Sequence, residues 1–166
     1  MRKPSGQYPG KEGLVMKKQP TAETNSTRTV TVLSVSPLAE DHFSLQAIFN
    51  HSKWELHRAD CLASARAIMH RREIGVVICE RDLSPGTWID VLKEGELLPN
   101  SPSLIVTSRL ADDRLWAEAL NLGAYDVLAK PFERLELVRS VSSAWLHWYH
   151  KYELVAREWP AMRAAS

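Results

Sequence analysis

Four apolar runs each lead into a residue that could do chemistry. Thr29-Val30-Thr31-Val32-Leu33-Ser34-Val35 is followed by Ser36-Pro37, and Val76-Val77-Ile78-Cys79 by Glu80. Leu104-Ile105-Val106 leads into Thr107, and Tyr125 to Ala129 into Lys130-Pro131. Brought together, a carboxylate, a hydroxyl and an ammonium can form a hydrogen-bonded ion pair or balance charge on an anion. Metal and thiol chemistry finds little support. Cys61 and Cys79 make no metal or redox motif, and Cys79 reads as a buried thiol acting as a small hydrophobe. His147 and His150 are joined by no carboxylate or thiol cluster and read as surface or interface histidines. No cofactor is expected.

The elements that must position these residues alternate. The β-branched run from Thr29 is strand-like. Ser36 is placed as an N-cap and Pro37 at the first helical position of a helix reaching Asn50. A strand from Trp54 to Arg58 precedes a helix from about Asp60 to Arg72, with Ala63, Ala67 and Ile68 inward. Val76 to Cys79 is continuously apolar, as in a strand covered on both faces. Leu83-Ser84-Pro85-Gly86 is turn chemistry before a helix holding Trp88, Ile89, Val91 and Leu92. Leu104 to Thr107 is a fourth strand, Asp112 to Leu122 a helix stopped by Gly123, and Tyr125 to Ala129 a fifth strand. A last helix starts after Lys130-Pro131-Phe132. Five βα units predict an α/β, flavodoxin-like doubly wound parallel sheet of order 2-1-3-4-5. In that order the site lies at the carboxyl ends of the first and third strands.

Composition sets the class. The chain has 166 residues, 45% apolar and 25% charged, at net charge +1. That is ordinary for a soluble domain and argues against a general nucleic-acid-binding surface. No run approaches the ~20 apolar residues of a membrane span, and no signal-peptide stretch is seen, so a cytoplasmic setting is expected. Residues 1–28 hold six basic residues against Glu12 and Glu23 and read as a flexible basic tail. Residues 29–147 are expected to form the domain, and 148–166 an extension of the last helix with a C-terminal tail.

Residues 29–145 resemble the receiver domain of two-component response regulators. The resemblance rests on Leu104-Ile105-Val106-Thr107-Ser108, Gly123-Ala124-Tyr125-Asp126 and Leu128-Ala129-Lys130-Pro131-Phe132. It implies an acidic pair after the first strand that helps hold Mg²⁺, and an aspartate ending the third that accepts a phosphoryl group. It also implies a Thr or Ser on the phosphoryl oxygens and a charge-balancing lysine. Thr107 and Lys130 match the last two. Ser36 and Pro37 stand at the acidic-pair positions, and Glu80 at the acceptor position. Val127 stands where an aromatic switch residue is usual, three before the lysine, and Tyr125 could share its side of the sheet. Glu40 and Asp41 are expected on the helix surface. Asp82 is a weaker candidate acceptor.

Three readings of Glu80 compete: a partial internal mimic of the phosphorylated state, an ion pair with Lys130 that fills a disused pocket and, third, residual phosphotransfer, which the missing metal carboxylates and acceptor disfavour. The leading function is a stand-alone, degenerate receiver that is not an enzyme and binds a histidine kinase or a downstream signalling protein. The alternative is a conventional receiver phosphorylated by a histidine kinase with Mg²⁺. A flavodoxin-like cofactor binder is a third, disfavoured for want of a phosphate-cradling loop after the first strand. The last helix is expected to run from Glu133 to about Glu158, Pro160 being the first breaker, and Val138, Val141, Trp145, Trp148, Tyr152, Val155 and Trp159 make a heptad stripe. Trp145, Trp148, Tyr152, Val155 and Trp159 are therefore interface candidates, for a homodimer or for docking to a partner.

Overall fold

The computed structural model describes residues 28–164, so the expected tail lies, apart from Arg28, outside the described residues. Five strands and five helices alternate. In chain order they are β1 (Thr31–Val35), α1 (Ala39–Phe49), β2 (Glu55–Ala59), α2 (Leu62–Arg71), β3 (Val76–Glu80) and α3 (Trp88–Glu96). β4 (Ser103–Ser108), α4 (Asp113–Leu122), β5 (Asp126–Ala129) and α5 (Arg134–Ala164) complete the chain. The sheet is parallel throughout, in the order β2-β1-β3-β4-β5 that the sequence predicts.

Alternation along the central strands feeds two cores. Leu33, Val35, Val77, Cys79, Val106 and Val127 point to the face covered by α2, α3 and α4. Val32, Val76, Ile78, Ile105 and Leu128 point to the face covered by α1 and α5. β3 and β4 are buried along their whole length, which explains their uninterrupted apolar character.

Local signals fix the starts of α3 and α4 and the end of α4. Thr87 accepts from the Ile89 amide and starts α3, and Asp112 accepts from the Leu115 amide and starts α4. Gly123, at φ 107°, ends α4 in the left-handed region that a side chain would strain.

Three sequence expectations need correction. α1 starts at Ala39 rather than Pro37, and Leu38 is the N-cap. The Ser36 hydroxyl accepts from the Leu38 amide and turns the chain before the helix begins. α2 buries Ala65 and Met69 and packs Ile68 on the same core as expected, while Ala63 and Ala67 are exposed, because its inner stripe runs Leu62, Ala65, Ile68 and Met69. α5 continues through Pro160 to Ala164, past the residue at which the sequence pattern places the break.

Candidate functional site

The carboxyl ends of the central strands bring Ser36, Glu80, Thr107 and Lys130 to one rim. Register sets Glu80 beside Thr107. The Lys130 amide donates to the Ser108 carbonyl, which anchors the lysine just past β5. Lys130 pairs with Glu80 as expected. Its Nζ also lies 2.8 Å from Asp41 Oδ2, which accepts in addition from the Ser36 hydroxyl at 2.6 Å. The pocket is therefore a closed triad, Glu80–Lys130–Asp41, braced by Ser36, with all three charged side chains nearly inaccessible.

Asp41 corrects the expected helix-surface role. A helix starting at Pro37 would carry it further round, but one starting at Ala39 sets it in the first turn, facing back toward Ser36. Glu40, one residue earlier, stays exposed and reaches Arg109. The signal in the sequence was a serine five residues before an aspartate, readable only with the helix start known. The triad closes without the Thr107 hydroxyl, although Thr107 is buried beside it.

Burial pulls Lys130 down as an acid, but the hydrogen bonds to Asp41 and Glu80 outweigh it and hold the ammonium above its ordinary value. The lysine stays charged. Burial also pushes the Cys79 thiol far up, in keeping with an inert core cysteine.

The residues present do not fit the Mg²⁺ site that the resemblance implies. Mg²⁺ needs octahedral oxygen ligands, usually from carboxylates with phosphate and water. Here Asp41 Oδ2 is engaged by both Lys130 and Ser36, and Glu80 is engaged by Lys130. Among the described residues no group of three or more His, Cys, Asp or Glu could hold a metal ion.

The switch position is apolar. Val127 is buried against the α2–α4 core. Tyr125 does not share its side: it lies outside β5, packs with the α1–α5 core and stands 5.5 Å from the His147 ring. Strand alternation does not extend to Tyr125, which is why counting by two misplaces it.

The response regulator receiver domain model matches residues 38–142 of this sequence. The chain belongs to the receiver family. Its fold is similar to the signal receiver domain of an HD domain-containing protein from Pseudomonas fluorescens Pf-5, at 25% identity and TM-score 0.69 over 76% of this chain and 93% of that one. It is also similar to a two-component response regulator from Clostridium difficile, at 18% identity and TM-score 0.63 over 72% and 97% of the two chains. Chemotaxis protein CheY4 of Vibrio cholerae matches at 15% identity and TM-score 0.61 over 70% and 98%. No curated protein matches. As a receiver domain the chain belongs to two-component signalling, whose receivers interact with histidine kinases and output proteins.

At the opposite end of the receiver the last helix departs from the interface expected of it. Trp148 is buried, and its indole Nε1 donates to the Asn100 carbonyl at 3.3 Å. Gly75 admits this packing: a Cβ there would meet Trp145 Cδ1 at 2.9 Å and Trp148 Cε3 at 3.0 Å. Tyr152 stacks on Trp148, and the Arg28 guanidinium sits 4.3 Å from the Tyr152 ring. Trp148 is thus a core residue of its own domain, because α5 lies directly over the start of β3. Trp145 and Tyr152 are half-buried beside it. The side chains of Val155 and Trp159 lie outside the described residues. No described helix is long and apolar enough to cross a membrane.

Proposed function

We propose that this receiver is a non-enzymatic, cytoplasmic interaction module that no longer accepts a phosphoryl group. The observation that carries the reading is the closed triad: the lysine that would balance phosphoryl charge is already held by two carboxylates. Glutamate at the acceptor position is one methylene longer than aspartate, and neither Ser36 nor Pro37 replaces a metal carboxylate. Phosphoryl transfer depends on positioning and charge neutralisation, and both supports are weakened here. The two carboxylates on Lys130 bring about as much negative charge as a phosphate, −1.5 to −2, which favours a pocket held permanently in one charge state. Signalling then runs through binding of a histidine kinase or a downstream protein, with the pocket filled from within.

Self-association through α5 is part of the same proposal. Beyond Tyr152 the helix continues for about 18 Å at ~1.5 Å per residue, and Val155 and Trp159 continue the heptad spacing in the sequence.

The test of the pocket is intact mass and NMR of the full chain after acetyl phosphate, or beryllofluoride, with Mg²⁺. Unchanged mass and unmoved Glu80, Thr107 and Lys130 signals are expected. A stable phospho-adduct, or Mg²⁺-dependent shifts at those residues, would establish the conventional phosphorylated receiver instead. One observation favours that second reading: Asp41 returns to the pocket a carboxylate that the positions after β1 lack.

A further inference from the structure

Directly behind the triad lies a buried histidine that the pocket chemistry does not use. His42 is 2% exposed, one residue after Asp41 in α1. Its Nε2–H donates to the Ser36 carbonyl at 2.9 Å, and the same nitrogen is 3.3 Å from Asp60 Oδ1. Its Nδ1 is 2.8 Å from the Ser34 hydroxyl. A carbonyl can only accept, so Nε2 carries a proton, and in the neutral ring Nδ1 must accept from Ser34. The order Ser34–His42–Asp60 resembles a hydrolytic triad, but Ser34 is 1% exposed inside a central strand and no substrate can reach it.

The ring nitrogens keep a partner in both charge states. If the ring gains a second proton, at Nδ1, the Ser34 hydroxyl can rotate from donor to acceptor, so both ring N–H groups remain hydrogen-bonded. Asp60, with 86% of its side chain exposed, offers the cation an anion and a route for protons from solvent. Among the described residues, Asp41, its neighbour on α1, and Arg58, the register partner of Ser34 on β2, are further charged groups beside the ring. Through Ser36 the ring also meets Lys130 and, beyond it, Glu80. Ser36 is the link, because its carbonyl accepts from His42 while its hydroxyl donates to Asp41.

We propose that His42 is a positioning residue for the triad, and that proton uptake by its ring loosens the hold of Ser36 and Asp41 on Lys130. A ring cation draws the Ser36 carbonyl and Asp60 toward Nε2, and the Ser36 hydroxyl turns away from Asp41. Histidine is the side chain suited to such a change between pH 5 and 8. The inference rests on the closed pocket and adds a regulator to it.

The test is a pH titration of the full-length chain from about pH 5 to 8.5, following the imidazole nitrogens, the Lys130 ammonium and the Asp41 carboxyl carbon by NMR. Lys130 and Asp41 signals should move with His42 at one midpoint, and Lys130 hydrogen-exchange protection should fall on the acid side. His42→Gln, which keeps a donor for Ser36 but takes up no proton, should flatten the response. Asp60→Asn, which leaves the ring in place, should move the shared midpoint to lower pH. Lys130 titrating in His42→Gln as in the parent would overturn the inference, as would His42 titrating with Lys130 silent. Should His42→Gln not fold, an unmoved Lys130 midpoint in Asp60→Asn overturns it equally. A Lys130 ammonium unprotected at every pH would remove the closed pocket itself, whereas protection without a His42-linked response removes only this inference.

Discussion

Lys130 is the residue on which the pocket's electrostatics turn. Taking an ammonium and two carboxylates out of water is costly, and the arrangement holds because each charge has a partner. Lys130→Ala would leave Glu80 and Asp41 buried together without a cation. It should destabilise the domain by about 3–5 kcal/mol, the range for breaking a buried pair, as read from urea unfolding. Asp41→Asn keeps the shape and leaves Lys130 its Glu80 partner, so a smaller loss of about 1–3 kcal/mol is expected. The alkaline limb follows from the raised Lys130 value. A group raised on folding contributes fully below its unfolded pKa, about 10.4 for lysine, and the contribution is lost as pH rises through the folded value. Melting temperature should therefore fall above about pH 10.4 in the parent and fall less steeply in Lys130→Met.

Among the elements, α5 has two parts with different work. Up to Tyr152 it is a core helix: Leu137, Val141, Ala144 and Trp148 are buried, and Trp145 and Trp148 press on Gly75. Past Tyr152 the helix continues to Ala164. Cutting the chain after His147 should cost about 3–5 kcal/mol, as for removal of a buried Trp, and would confuse loss of fold with loss of assembly. A cut after Leu154 keeps Trp148 and Tyr152, so unfolding should stay near the parent's. Sedimentation of that shorter chain beside the full one tests the proposed pairing: a monomer against a dimer is expected, and equal association states would remove the α5 pairing.

For the whole molecule, the topology gathers four strand ends and one helix start into a single pocket, so on the proposed reading no one substitution supplies phosphoryl transfer. Glu80→Asp alone should give no phospho-adduct with acetyl phosphate and Mg²⁺, because Ser36 and Pro37 still supply no metal carboxylates and Asp41 still holds Lys130. Ser36→Asp, Pro37→Asp and Glu80→Asp together with Asp41→Asn, which supply the carboxylates and free Lys130 from Asp41, should give labelling, read by intact mass. Robust labelling of Glu80→Asp alone would show that Asp41 suffices for the metal.

Sheet order, strand identities and the meeting of Glu80, Thr107 and Lys130 were legible in the sequence. Continuous apolar runs mark strands covered on both faces, and parallel topology sends their carboxyl ends to one rim. The ends of α1 and α5, the inner face of α2 and the side of Tyr125 were not. The start of α1 and the side of Tyr125 depend on where a helix or strand begins, and the end of α5 and the inner face of α2 on packing that local pattern does not show. Thus the sequence by itself determined the fold and which strand ends carry Glu80, Thr107 and Lys130. Only the tertiary structure decided that Asp41 closes the pocket, that His42 lies beneath it and that Trp148 belongs to the core. Those contacts join residues of different elements, and local pattern carries no record of the distances between them.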